Sequence, residues 1–177
     1  MYPPVPDFKP IVGTAARQAI FGKFNYISAP VSGNKENISI QGDWARKNLC
    51  IIELPQLMGI HGAPNSGKIQ CHVMVADSIR FMFNDFEQEG LLDVIHTWDG
   101  MFCPRFQRGS KTALSNHAFG TAFDINAQWN PLGETPAEDG ELGCVFPLVE
   151  IANKHGWYWG GHFSRPDGMH FEYARQS

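Results

Sequence analysis

The apolar positions of this chain change period along its length, and each change marks an element. Leu49-Cys-Ile-Ile-Glu-Leu54 is a short apolar run that reads as a buried strand. From about Val73 to Glu89 the period is helical: Val75, Ile79, Met82, Phe83 and Phe86 share one face, and Gly90 stops the helix. Leu91 to Phe102 reads as a strand kinked at Gly100, and Thr121–Asn126, Trp157–Trp159 and Met169–Tyr173 read as further strands. Cys144 to His155 has the pattern of an amphipathic helix closed by Gly156. Residues 128–143 form a Pro-, Gly- and acid-rich loop long enough to suspect a role at a site. Its acids Glu134, Glu138, Asp139 and Glu141 are more simply read as solvated surface. Residues 1–45, rich in Pro, Gly, Ser and Asn, predict an arm packed on a domain spanning 46–177, with a short helix around Thr14 to Ile20. Helices and strands mix without a βαβ rhythm. The expected fold is therefore α+β, a single domain with an antiparallel sheet flanked by helices.

Composition narrows the function classes. At 177 residues with 43% hydrophobic side chains, the chain can bury a real core. A formal charge of −4 leaves no basic stripe for phosphates, which argues against nucleic-acid binding. No run approaches the roughly 18 apolar residues of a membrane span, and no basic-then-apolar leader is visible at Met1-Tyr-Pro-Pro-Val-Pro-Asp7. The cysteines Cys50, Cys71, Cys103 and Cys144 never form a C-x-x-C pair, so buried free thiols are expected, with one disulfide as the alternative. Gly62-Ala-Pro-Asn-Ser-Gly-Lys68 imitates part of a phosphate loop. Ile69 stands where that motif needs Ser or Thr, and a plain turn is the better account.

The chemistry-bearing residues gather late in the chain. His117 and Asp124 sit in Ser115-Asn-His-Ala-Phe-Gly-Thr-Ala-Phe-Asp124, and His170 sits in Asp167-Gly-Met-His-Phe-Glu172. Two neutral imidazoles and one carboxylate are a ligand set for a catalytic zinc that keeps a position open. Asp167, three residues before His170, is placed to act as a general base. In a strand from Met169 to Tyr173, His170 and Glu172 share one face while Met169 and Phe171 turn to the core. Gly120, between His117 and Asp124, permits close backbone approach and is expected to leave room for a metal and substrate. His61, His72, His96 and His155 have plainer readings as loop, helix start, strand and helix end. Trp157 and Trp159 are expected in the core.

Ser115-x-His117-x2-Gly120-x-Ala122-x-Asp124, followed by Gly156-Trp-Tyr-Trp-Gly-Gly161 and Asp167-x2-His170-Phe-Glu172, resembles the VanY-like zinc D-alanyl-D-alanine carboxypeptidase/L-alanyl-D-glutamate endopeptidase family. The resemblance is strongest over residues 91–174, weaker back to about residue 48, and leaves the first 45 residues uncovered. It implies zinc held by His117, Asp124 and His170, Asp167 as catalytic base, and the fold shared with the hedgehog signalling domain. It also implies an upstream arginine at the substrate carbonyl, for which Arg105 is the candidate with Arg108 close behind. Ser115 and His162 are expected at the substrate side, Ser115 through supporting hydrogen bonds. The implied activity is hydrolysis of a bond in peptidoglycan stem peptides, either D-Ala-D-Ala or L-Ala-D-Glu. The place of action would be the cell wall, through lysis by a phage or remodelling by a bacterium, and the enzyme is expected to be monomeric without nucleic-acid or membrane partners. The competing class is a hedgehog-like binding module that keeps zinc without hydrolysis.

Overall fold

The computed structural model describes residues 1–175. The expected α+β architecture is present, with helices against small antiparallel sheets. In chain order the elements are α1 (Thr14–Phe21), β1 (Asn25–Ser28), β2 (Ile38–Gln41), α2 (Trp44–Asn48), β3 (Leu49–Glu53), β4 (Lys68–His72), α3 (Ala76–Gln88), β5 (Trp98–Gly100), β6 (Ala122–Ile125), α4 (Phe146–Lys154), β7 (Trp157–Trp159) and β8 (His170–Tyr173). Strands β1–β2 and β3–β4 are hairpins, and the four-stranded sheet runs β5-β6-β8-β7. Among the described residues no helix is long and apolar enough to cross a membrane.

Alternation along β6 and β8 divides the sheet into a chemical face and a greasy face. Phe123 lies between Trp98 and Phe171, stacked on both at centroid distances of 5.6 and 5.2 Å. These rings join Ile79, Met82, Phe83 and Phe86 of α3 and Leu148, Val149 and Ala152 of α4 in the main core. Each such side chain fully buried contributes about 1.5–3 kcal/mol of transfer free energy, so the sheet position of Phe123 is strongly enforced. The residues between, Ala122, Asp124, His170 and Glu172, must then face the other way. On that side a second cluster joins Ile11, Phe21, Phe24, Ile38 and Trp44 to Leu49, Phe106, Leu114, Ala118 and Phe119.

Several expectations change. The strand foreseen over Leu91–Phe102 shrinks to β5, because Leu92–Val94 closes into a 3-10 turn and His96 lies in a loop. The first 45 residues hold the β1–β2 hairpin as well as a helix, and they supply half of the second cluster. Gly62–Lys68 is a turn running into β4. The cysteines are free, but only Cys71 is buried and the other three are half-buried; Cys50 and Cys71 oppose each other across β3–β4 at 3.9 Å between Sγ atoms. Trp157 and Trp159 are wholly buried. The close backbone approach expected at Gly120 is present. Its φ is 68°, and an added Cβ would stand 2.9 Å from the His72 amide, whose N–H donates to the Gly120 carbonyl. The approaching backbone is the end of β4.

His72 stands at a helix start as expected: it ends β4 and caps the 3-10 turn Val73–Val75 that leads into α3. Its Nδ1 accepts the Met74 N–H at 3.2 Å, so the ring proton is on Nε2, which donates to the Phe21 carbonyl at 3.1 Å. A second proton would collide with the Met74 donor. Burial, partly offset by the Phe21 bond, holds His72 below its ordinary value of 6.5. The unfolded chain therefore takes up a proton near that value that the folded ring refuses. Stability supplied by neutral His72 is complete above 6.5 and is lost as pH falls below it. Tm followed from pH 7.5 to 5 should fall more steeply for the wild type than for His72→Gln, and parallel curves would remove His72 from the acid response.

Candidate functional site

Sheet register assembles the site. Asp124 on β6 is the direct cross-strand partner of His170 on β8, and Ala122 is the partner of Glu172, which brings side chains of one face within about 5 Å. His117 arrives on the 3-10 turn Asn116–Phe119, capped by Ser115, whose Oγ accepts the His117 N–H at 3.3 Å. His117 Nε2, His170 Nδ1 and Asp124 Oδ1 converge: the two nitrogens lie 3.2 Å apart, and the carboxylate oxygen is 3.2 Å from the first and 2.9 Å from the second. His117 and His170 are buried, and Asp124 is mostly so.

The outer hydrogen bonds fix both tautomers. His117 Nδ1–H donates to the Met101 carbonyl at 2.8 Å, which leaves Nε2 a lone pair. That carbonyl lies just past the end of β5, next to its register irregularity against β6. His170 Nε2–H donates to Glu172 Oε2 at 3.1 Å, and Asn116 Nδ2 donates to the same oxygen. Two nitrogen lone pairs and a carboxylate oxygen thus point into one space, an arrangement stable only around positive charge. A proton on His170 can supply that charge. Burial disfavours the imidazolium, yet the hydrogen bonds and charges of Asp124 and Glu172 outweigh it and push His170 up to about 10. Burial alone would raise Asp124, but when the rings are protonated the charge of His117 and hydrogen bonds from both histidines hold its carboxyl well below the usual carboxylate range. A divalent cation fits the same space, since each donor atom is a recognised ligand, the atoms lie within 4.8 Å of one another, and both imidazoles carry the orienting acceptors typical of metal sites.

This cluster opens on a cleft of about 490 Å3 that contains His170, Glu172, Asp167, Arg105 and Arg17 in its walls. Asp167 is held by the Trp159-Gly-Gly turn: its N–H donates to the Gly160 carbonyl at 3.0 Å, and any Cβ on Gly160 would come within 2.6 Å of the Asp167 carbonyl. Its Oδ1 is buried and has no hydrogen-bond partner among the described residues. Burial pushes the Asp167 carboxyl above the ordinary range, with the His170 charge working against that rise and the Asp124 charge adding to it. A carboxylate that is poorly satisfied and keen for a proton is thereby set in the cleft wall.

The remaining candidates divide. Arg105 lines the cleft and spends one donor on the Phe106 carbonyl at 3.2 Å. Arg108 also borders it but is paired with Glu36 at 2.8 Å. His162 stands at the wall with Nε2 donating to the Pro3 carbonyl at 2.9 Å, packed among Tyr2, Tyr158 and Trp159. From the long 128–143 loop, Leu132 reaches the cleft, while Glu134, Glu138, Asp139 and Glu141 do not line it. Four features of the site were not singled out from the sequence: Glu172 as the acceptor that orients His170, Asn116 on the same Glu172 oxygen, the Met101 carbonyl, and Arg17 in the cleft wall. The first was within reach, because strand alternation already put Glu172 beside His170.

Residues 108–173 match a family model described as D-alanyl-D-alanine carboxypeptidase, and the motif resemblance is borne out over that segment. The matched stretch contains His117, Asp124, Asp167 and His170 but neither Arg105 nor the first 107 residues. Comparison with curated proteins and with solved structures gave no match.

Proposed function

We propose that this protein is a zinc-dependent peptidase that hydrolyses a bond in peptidoglycan stem peptides, of the D-Ala-D-Ala carboxypeptidase or L-Ala-D-Glu endopeptidase kind. The observation that carries the reading is the convergence of His117, Asp124 and His170, tautomers fixed, in a site with Asp167, whose buried Oδ1 has no hydrogen-bond partner among the described residues. The family match over the same residues supplies the peptidase class. His117, Asp124 and His170 would hold the ion. When bound, zinc supplies Lewis acidity, polarising a carbonyl and making water acidic near neutral pH.

The chain's own residues do the rest. Asp167 takes the proton of the attacking water and passes it to the leaving amine as the C–N bond breaks. The product pair is one new carboxylate and one new amine. Arg105 balances the charge that grows on the carbonyl oxygen, a kind of contact whose loss typically costs about 3 kcal/mol in the barrier. Glu172, Asn116 and the Met101 carbonyl keep the two imidazoles aimed, so that the ligand atoms need no reorganisation.

The test is product analysis by mass spectrometry after incubating zinc-loaded protein with purified muropeptides. A new product is expected, and its mass names the bond. A protein that binds zinc and yields no product would be a binding module instead, because the same metal geometry suffices for recognition without turnover.

A further inference from the structure

Arg17 comes from α1, outside the segment that matches the family, yet it lines the cleft beside Arg105, Asp167, His170 and Glu172. It is buried, with 5% of its surface exposed. One donor is used: Nη1 donates to the Leu114 carbonyl at 3.1 Å. Nε is buried with no acceptor, and no hydrogen bond occupies Nη2 among the described residues. The free edge of the fork is therefore Nε with Nη2, the edge that meets a carboxylate with two parallel hydrogen bonds.

A purely structural arginine does not explain this arrangement. The α1 helix is already tied to the Leu114 peptide by Thr14, whose Oγ1 accepts the Leu114 N–H at 2.9 Å, and a latch on the carbonyl needs one donor rather than a guanidinium. The acid whose charge reaches Arg17 is Glu172, and its Oε2 is occupied by His170 and Asn116. Neither Arg17 nor Arg105 is in an ion pair among the described residues. A buried cation with an unmet donor edge in a cleft wall calls for an anionic ligand from outside.

We propose that Arg17 is a specificity-determining residue whose guanidinium binds the free α-carboxylate of the substrate residue on the amine side of the cut bond. This rests on the peptidase reading and sharpens its substrate class. Both bonds under consideration have such a carboxylate. A terminal D-Ala carries its own, and a D-Glu joined to the next residue through its γ-carboxyl keeps the α-carboxyl free. Peptides lacking a charge at that place would be poor substrates whichever bond is cut.

The experiment compares two stem-peptide substrates that differ only in this carboxylate, free in one and amidated in the other. Zinc-loaded wild type should favour the free acid by roughly 10- to 100-fold in kcat/KM, the range of one charge-assisted contact. Arg17→Met should lose that preference, chiefly through a raised KM for the acid, so that acid and amide are cleaved with similar kcat/KM. Arg17→Lys keeps the charge without the fork and should retain an intermediate preference. It also decides the matter if the methionine variant fails to fold. An undiminished preference in these variants, or equal cleavage of acid and amide by wild type, overturns the carboxylate role and leaves the peptidase standing. Cleavage of neither substrate by wild type overturns both.

Discussion

Asp167→Asn should bind zinc as wild type does and lose roughly 10²- to 10⁴-fold in kcat, the usual contribution of a positioned general base. The substitution is nearly isosteric, and the backbone contacts that seat residue 167, its N–H on Gly160 and its carbonyl accepting the His170 N–H, do not involve the side chain. What changes is the proton affinity of the buried group. The carboxylate is raised by burial and has an oxygen without a partner, so it gains by taking a proton from water. A carboxamide has no such capacity. Metal content by elemental analysis and turnover on muropeptides, measured on the same sample, separate the two roles. Wild-type turnover would remove Asp167 from the mechanism, and loss of metal would make it a ligand or a support rather than a base.

His170→Ala should abolish the response of stability to zinc. A ligand that binds only the folded state adds about 4 kcal/mol at a free concentration a thousandfold above its Kd, which for a chain of this size is about 8–16 °C in Tm. The wild type should show a rise of that order when zinc is added and lose it to a chelator. Removing the imidazole deletes the donor on the central strand and leaves His117 Nε2 and Asp124 Oδ1 as an incomplete pair. It also takes from Glu172 the N–H it accepts, so the variant starts from a lower Tm, and the comparison must be of the zinc-induced shift. Equal shifts in both proteins would show that the ion sits elsewhere, and no shift in the wild type would contradict the metal centre itself.

The parts of this molecule that could be read from sequence are those that local pattern determines. His117, Asp124 and His170 lie in short segments where alternation and turn chemistry fix direction, and α3 shows its buried face in the spacing of Val75, Ile79, Met82, Phe83 and Phe86. What local pattern could not give depends on register and on distant partners. The Met101 carbonyl that holds His117 lies 16 residues upstream, in the stretch just after β5, where nothing in the sequence marks it as a partner. Gly120 looked like room for a ligand, but its neighbour is the end of β4, some fifty residues upstream. Leu91, Leu92 and Val94 supplied the hydrophobicity of a strand, yet a 3-10 turn closes over them before β5 begins. The hairpin of β1 and β2 was hidden by two four-residue strands in a Pro- and Gly-rich background, and Arg17 by the same background. Nothing near Arg17 in sequence announces a partner ninety-seven residues away.

The strand order has a bearing on when this molecule becomes competent. Strand β8 lies between β6 and β7, although it is the last of the four to be made. On a ribosome, a chain that has emerged only through β7 has strands β6 and β7 with no shared edge, and it holds His117 and Asp124 without their companion. Insertion of β8 joins the two halves of the sheet and delivers His170 in the same motion. Until β8 is in place the chain carries two of the three grouped residues, and the sheet and the full set are completed in one step.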